Sequence, residues 1–146
     1  MLDTLDDIDR RILSILQKDG RLSVSAVATA ARVSRANAYN RINRMTDAGI
    51  ITGYMAQIDP SKLGMTASAF VMIRTEQDSW QIVRDRVTRI PEVKHVALVA
   101  GDFDVIVLIR ASDNADLRRV ILTELQSIPH IRDTKTSIIF EEEDTR

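Results

Sequence analysis

Cysteine is absent from this chain of 146 residues, which excludes disulfides, thiolate nucleophiles and thiolate metal sites. Long hydrophobic runs are absent too, since no uninterrupted apolar stretch approaches the roughly 20 residues that a membrane-spanning helix needs. The acidic start, residues 1–7, lacks the basic residues and the apolar run of a signal peptide. These features predict a cytoplasmic protein with no membrane partner.

Motifs of catalysis are also lacking: there is no Gly-rich phosphate loop, no nucleophile beside a base and no cluster of metal ligands. His95 and His130 lack ligand spacing with each other or with carboxylates, which favours surface or edge histidines over a metal site. Asp6, Asp7 and Asp9 are interpreted as favouring the N-terminal dipole of a first helix rather than as an acid/base set. We therefore predict no enzyme, no cofactor and no metal site.

Neither sign of charge predominates, since the formal net charge is −1 at pH 7. The distribution along the chain is nevertheless uneven. Four arginines and no acid occupy residues 32–44, whereas residues 141–144 form an acidic run. A local basic surface of this kind suits DNA binding even when the whole chain is slightly acidic.

The basic region coincides with a predicted helix that begins after Ser34 and ends at Gly49. Ser34 can accept a hydrogen bond from a free backbone N–H, and Gly49 suits the left-handed residue that ends a helix. Ala38, Ile42 and Met45 form an apolar stripe that would seat the helix on a small core. The predicted DNA-binding residues on and around its other faces are Ser34, Arg35, Ala36, Asn37, Asn40, Arg41 and Arg44.

Guanidinium groups bind phosphates and guanine edges, and amides can pair in two places with adenine, which is the chemistry of a DNA-reading helix. We assign Asn37 and Asn40 to base edges. The residues assigned mainly to phosphates are Ser34, Arg35, Arg41 and Arg44. Two simpler interpretations remain open, namely a solvated polar face on a structural helix and a module that docks another protein.

The first part of the chain, residues 1–60, is predicted to be a helix-turn-helix domain of winged-helix-like type. Apolar residues recur at helical spacing after Thr4, which would form a capping-box-like start with Asp7. A second, short helix is predicted after Ser23, and a tight turn leads from it into the basic helix. The β-prone residues 50–58 predict a connecting strand.

The second part, residues 61–146, follows the pattern β-α-β twice, and a proline ends each of its helices, at Ile90-Pro91 and Ile128-Pro129. This pattern predicts a ferredoxin-like βαββαβ domain, in which two helices cover one face of a four-stranded antiparallel sheet. The whole chain is therefore assigned to the α+β class. The predicted strands are residues 66–75, 93–100, 104–110 and 132–140, and the predicted helices are residues 79–90 and 113–128.

Both faces of this predicted sheet are apolar, although the helices cover only one. Ile106 and Leu108, for example, alternate with Val105 and Val107. An open face of that composition would be a large exposed patch in water. We therefore predict that a second subunit covers it, giving at least a homodimer.

Many spaced positions together resemble one family. The residues concerned are 5–13, 16–21, Ser34, Arg41, Gly49-Ile50-Ile51, Gly53-Tyr54, Gly64 and Gly101-Asp102-Phe103-Asp104. This order is similar to that of the Lrp/AsnC (leucine-responsive, feast–famine) transcription regulators, whose sensing domain usually carries Gly-Asp-Tyr-Asp in a hairpin. The resemblance implies binding of double-stranded DNA, homodimers that assemble into tetramers or octamers, and response to a free amino acid bound between dimers.

Two positions depart from the family pattern. Thr46 stands where many members have Glu, and Met45 where Leu is common; both bear on packing more than on chemistry. The tip of the recognition helix, Ala36, Asn37 and Asn40, varies within the family, so the resemblance implies no operator sequence.

The resemblance also implies an effector site near Gly101. The simpler interpretation of Gly101–Asp104 is a hairpin turn. In the functional interpretation, backbone N–H groups and a carboxylate there hold the α-carboxylate and α-ammonium of an amino acid. The residues carried over as effector-binding are Leu98, Val99, Ala100, Gly101, Asp102, Asp104, Asn114, Thr134, Thr136 and Ser137.

Other functions remain open at this point. One is an architectural DNA-binding protein that responds to no effector. Another is a small-molecule binder or an enzyme in which residues 66–146 carry the main activity and the helical domain merely docks.

Overall fold

The computed structural model describes residues 5–143 and divides into two compact units, with the division between Gln57 and Ile58. The first unit is helical and the second is a sheet with helices, so the predicted α+β class and both predicted domain folds are confirmed. None of the helices in the described part of the chain is long and apolar enough to span a bilayer.

Three helices form the first unit: α1 (Asp7–Lys18), α2 (Val24–Ala31) and α3 (Arg35–Asp47). Their apolar faces meet in a core whose fully buried members include Ile12, Val27, Ala31 and Met45. Leu5, Ile8, Leu16 and Ile42 pack around this core as partly buried residues. The helical periodicity of the sequence is thus the direct cause of the packing.

The start of α1 differs from the prediction. Asp6 caps the helix by accepting a hydrogen bond from the backbone N–H of Asp9, and the Asp9 side chain accepts one from the backbone N–H of Asp6. Aspartate is a stronger cap than threonine, and this pair closes the capping box in both directions. The cap in the structure is thus Asp6 with Asp9, and the predicted pair of Thr4 and Asp7 involves a residue, Thr4, that lies outside the described residues.

The predicted strand at residues 50–58 is also wrong, since the segment after α3 is irregular. A strand requires a neighbouring backbone to satisfy its N–H and C=O groups, and the one sheet among residues 5–143 pairs only strands of the second unit. Ile51 instead packs on the core of the first unit. The segment leads to a short 3₁₀ turn at Pro60–Leu63, where Asp59 caps the start.

The second unit contains β1 (Ala67–Thr75), α4 (Trp80–Val87), β2 (Val93–Leu98), β3 (Val105–Ala111), α5 (Asn114–Arg119) and β4 (Ile131–Ile139). The sheet is antiparallel with the order β2-β3-β1-β4, which is the predicted ferredoxin-like topology. α5 is shorter than predicted, because the helix continues as π-helical turns over Val120–Leu125.

Burial alternates along the two central strands and so defines the faces of the sheet. Val71 and Val107 lie on the side that packs against α4 and α5, where they are fully buried with Val83 and Val120. The opposite side bears the intervening residues of the central strands, which include Phe70, Met72, Ile106 and Leu108. No helix of the described chain packs on this opposite side, which we call the open face; its Phe70 is 40% exposed.

Candidate DNA-binding and effector sites

Helix α3, the predicted recognition helix, is fixed at both ends by local hydrogen bonds. The Ser34 hydroxyl accepts from the backbone N–H of Asn37 at 3.2 Å, as predicted. After the helix, Gly49 has a φ of +71°, and the backbone N–H groups of Gly49 and Ile50 donate to the carbonyls of Thr46 and Met45. This is a Schellman termination, which glycine favours because it carries no Cβ.

The spacing along α3 decides which residues face outward. Ala38 and Met45 are fully buried. Residues two positions from a buried one point to the far side of a helix, which places Ala36 and Asn40 on the exposed face. Asn37, Asn40, Arg41 and Arg44 of the predicted set line one surface depression of about 270 Å³ together with Asp6.

A second depression on the same helix adds a residue that the sequence analysis did not single out. Tyr39 is 54% exposed and lines this depression with Arg35 and Ala36. A tyrosine at an exposed position of a basic helix offers both a hydroxyl and an apolar ring to a ligand. Its position three residues after the outward-facing Ala36, on the same side of the helix, could have identified it from sequence alone.

Two arginines of α3, Arg41 and Arg44, do not project as isolated cations. Arg41 Nη1 donates to Asp6 Oδ2 at 2.7 Å and to Asp9 Oδ1 at 2.8 Å, while its Nε donates to Asn37 Oδ1 at 2.7 Å. Arg44 Nη2 donates to Asp9 Oδ2 at 2.5 Å. The side of the recognition helix that faces α1 is therefore an ion-pair network, which we call the α1–α3 network: Asp6, Asp9, Arg41 and Arg44.

Charge pairing lowers the pKa values of the two acids in this network. Hydrogen bonds from the Asp9 backbone and from Arg41 lower the pKa of Asp6 to about 2. Burial alone would raise the pKa of Asp9, but hydrogen bonds from Arg41 and Arg44 outweigh it and hold that pKa below its usual range. The same two carboxylates raise the pKa of Arg41. All three groups are charged at neutral pH.

Asp9 lies in the first turn of α1 and makes contacts that the sequence analysis did not predict. It was assigned to the helix dipole, but it is fully buried and holds two arginines of the recognition helix. A sign of this role was present, because Asp9 lies three residues before Ile12 and seven before Leu16, inside the apolar stripe of α1. A charged residue at such a position needs a partner of opposite charge.

Hydrogen bonds attach the hairpin that contains Gly101 to the end of β1 in the second unit. Asp104 Oδ2 accepts from the backbone N–H of Thr75 at 2.7 Å and lies 3.1 Å from the Thr75 hydroxyl. Arg74 Nε donates to the carbonyl of Asp102 at 2.9 Å, and its guanidinium lies over the ring of Phe103. Gly101 has a φ of +145°, a conformation that other residues rarely adopt.

The predicted effector residues fall at three places in one chain. Leu98–Asp104 lie at the end of the sheet where Ile73 pairs with Val105, and Thr134 pairs with the same Ile73. Asn114 and Thr136 line an apolar cleft of about 250 Å³ between α5 and β4. Ser137 pairs with Phe70 and so lies on the open face. A single protomer does not bring the ten residues together.

The titratable groups outside these regions are the remaining candidates for metal ligands. Among residues 5–143, no three of the His, Cys, Asp or Glu side chains are placed to hold a metal ion. His130 instead lies 2.8 Å from Glu76 through its Nδ1.

Known proteins resemble this chain in both units. The pattern that defines a winged helix-turn-helix DNA-binding domain matches residues 5–52, and the Lrp/AsnC ligand binding domain matches residues 68–146. An HTH-type transcriptional regulator of Pyrococcus abyssi, itself uncharacterized, is 36% identical over 135 residues, which are 92% of this chain and 85% of that protein. The proline dehydrogenase transcriptional activator of Rhodobacter capsulatus is 33% identical over 144 residues, 97% of this chain and 94% of its own.

Solved structures of transcriptional regulators also superimpose on this chain. A transcriptional regulator of Neisseria meningitidis, crystallised as a complex with L-Met, superimposes with a TM-score of 0.91 at 25% identity, covering 97% of this chain and 94% of that one. The relatives are transcriptional regulators and not enzymes. With both halves matched in order over nearly the whole length, the chain belongs to the Lrp/AsnC family of DNA-binding transcription regulators.

Proposed function

We propose that the protein is a sequence-specific regulator that places α3 in the major groove of duplex DNA. The observation that carries this proposal is the exposed face of α3, where Ala36 and Asn40 lie opposite the buried Ala38 and Met45. A small residue beside an amide lets the helix approach base edges closely. In this proposal residues 1–60 are the DNA-binding domain, which works in the cytoplasm, and its contacts are divided as assigned from sequence: Asn37 and Asn40 at base edges, and Ser34, Arg35, Arg41 and Arg44 at phosphates.

The test of this assignment separates base contacts from phosphate contacts. Asn40→Ala should relax preference at one base pair, with a loss of discrimination of roughly 1–3 kcal/mol. Arg35→Gln should instead weaken binding to all duplexes by a similar factor and reduce the salt dependence by about one counterion. Binding is measured by fluorescence anisotropy on an operator selected from genomic fragments, on its single-base variants and on random duplex. Unchanged preference in Asn40→Ala at every position would contradict the assignment.

We also propose that the open face pairs two chains and that the dimers assemble further, into tetramers or octamers. Phe70, Met72, Ile106 and Leu108 form an apolar centre on this face. Arg74 on β1 and Asp133 on β4 are opposite each other in the strand register and place two charged residues at its margin. An apolar centre with a polar margin is typical of homodimer interfaces. A pair of chains also presents two copies of α3, which suits operators with two half-sites.

The proposed effector is a free amino acid or a related small molecule bound where chains meet. The Neisseria meningitidis relative was crystallised with L-Met, which supports a free amino acid as the effector of the present protein. Within one chain the carried-over residues lie at separate places, so a common pocket would need residues from neighbouring subunits. Asp102 and the backbone of the hairpin would supply a carboxylate and N–H groups for an α-ammonium and an α-carboxylate.

Calorimetric titration of the assembled protein with each of the common amino acids tests this part. Binding of one amino acid should change DNA affinity, and DNA should change the affinity for that amino acid by the same factor, because coupling between sites is reciprocal. Silence for every amino acid, with DNA binding intact, would contradict the effector proposal and favour an architectural protein that responds to no ligand.

A further inference from the structure

The α1–α3 network has no net charge, although it contains two arginines of the recognition helix. Asp6 and Asp9 balance Arg41 and Arg44. Asp9 is fully buried and supports the packing of α1 against α3. The side chain of Asp6 is 51% exposed, so it contributes its charge at the surface where duplex DNA would lie. The two acids therefore have different consequences for DNA binding.

Asp6 accepts a hydrogen bond from one of the donor groups of Arg41. The Nη1 group of Arg41 donates to both carboxylates and its Nε donates to Asn37, whereas its Nη2 group makes no hydrogen bond to any residue among 5–143. The arginine side chain is only 21% exposed. Asp6 occupies the same kind of donor that a DNA phosphate would need, since carboxylates and phosphates both bind guanidinium groups through charge-assisted hydrogen bonds.

We propose that Asp6 is a positioning residue that holds Arg41 against α1 and so limits the affinity of the protein for nonspecific duplex DNA. A phosphate that binds Arg41 through both Nη groups must first displace Asp6 from Nη1. That displacement costs the ion pair on every sequence, and only an operator whose base edges also bind α3 offsets the loss. This proposal rests on the DNA-binding role of α3, because Arg41 matters here through its contact with a phosphate.

A general repulsion between acids and DNA would produce a similar trend, and Asp7 provides the control for it. Asp7 lies next to Asp6 in the first turn of α1 and is exposed. Replacing either residue by Asn removes one negative charge from the same turn. Only the replacement of Asp6 also removes one of the two carboxylates that hold Arg41 Nη1. Asn retains the capping oxygen that the start of α1 requires, so Asp6→Asn leaves the helix cap in place.

The experiment compares Asp6→Asn, Asp7→Asn, Arg41→Gln and the double variant Asp6→Asn/Arg41→Gln in the full chain, with random-sequence duplex as the probe. Asp6→Asn should bind about three- to tenfold more tightly than Asp7→Asn near 0.1 M salt, and its salt dependence should rise by about one counterion. In the Arg41→Gln background the replacement of Asp6 should then have no more effect than the replacement of Asp7.

Equal affinity and equal salt dependence of Asp6→Asn and Asp7→Asn would overturn the proposal, as would a gain from Asp6→Asn that persists without Arg41. Circular dichroism verifies that each variant is folded, and Asp6→Ser, which is neutral and also caps a helix, replaces Asp6→Asn if the latter does not fold. Failure of the DNA-binding role itself is distinguishable, because the unaltered protein would then bind no duplex at low salt.

Discussion

At the scale of single residues, the α1–α3 network shows how one buried acid can organise a recognition helix. Asp9 accepts hydrogen bonds from two arginines and from the backbone of Asp6 while its side chain is 1% exposed. Removing one member of a buried charged group leaves the others without compensation, which is usually more costly than the net value of the pair. Stability of the helical unit therefore depends on this position.

Asp9→Asn should lower the free energy of unfolding of the helical unit by about 2–3 kcal/mol, because hydrogen bonds to charged groups are lost in a buried place. Urea denaturation followed by circular dichroism at neutral pH measures the change. Asp7→Asn is the matched control, as it alters an exposed acid of the same turn and should change stability by less than about 0.5 kcal/mol. Similar values for the two variants would show that the buried network does not stabilise the unit.

Acid should weaken the same network in a defined range of pH. The pKa of Asp6 in the folded protein is about 2, below its ordinary value of 3.8, and that of Asp9 is also lowered. Groups with a depressed folded pKa stabilise fully above the unfolded pKa and lose that stabilisation as pH falls toward the folded pKa. The unaltered protein should unfold at a higher urea concentration than Asp6→Asn. This difference in urea midpoint should be constant above about pH 5 and should shrink from pH 4 to pH 2. A difference that does not change with pH would contradict this.

Local residue chemistry was predictable here, whereas pairing over distance was not. Ser34 and Gly49 could be identified from sequence because a cap and a helix end depend only on neighbouring residues. The pairing of Arg41 with Asp9 joins residues 32 positions apart, and only the packing of α1 on α3 brings them together. The sequence pattern showed that Asp9 lies in the apolar stripe of α1, but it did not identify Arg41 as its partner.

At the scale of elements, periodicity predicted the five α-helices and the four strands that residues 5–143 contain. It failed for residues 50–58, whose β-prone composition is insufficient without a neighbouring strand in the described chain. It also did not distinguish α5 from the π-helical turns of Val120–Leu125, which continue the helix with a different hydrogen-bond pattern. Local preference thus identifies an element, and tertiary contacts decide its length.

The cap of α3 offers a prediction at this scale. Ser34→Ala removes the acceptor for the Asn37 N–H and should lower stability by about 1 kcal/mol. Ser34→Asp keeps an acceptor and should preserve stability, but its charge at the proposed phosphate contact should weaken DNA binding roughly tenfold at 0.1 M salt. Thermal melting and fluorescence anisotropy measure the two effects. An equal loss of stability in both variants would show that the Ser34 hydroxyl does not cap the helix.

At the scale of the whole molecule, the ferredoxin-like order of strands followed from the doubled β-α-β pattern and was correct. The proposed effector residues do not form one site within a chain, because the register places Ser137 on the open face and Thr136 on the helix-covered one. Alternation assigns neighbouring strand residues to opposite faces, so a pocket that uses both would require more than one chain. The assembly is therefore the unit in which the proposed sensing must be tested.

Phe70 and Ile82 allow the assembly to be tested with matched substitutions. Both are exposed apolar residues of the second unit, at 40% and 46%, but Phe70 lies on the open face and Ile82 lies on α4. Phe70→Glu should reduce the mass measured by light scattering to that of one 16.4 kDa chain, because a charge cannot be buried without a partner. It should also weaken binding to a duplex with two half-sites by more than tenfold, since the linked second contact is lost. Ile82→Glu should leave both quantities unchanged, and an oligomeric Phe70→Glu protein would refute the pairing of open faces.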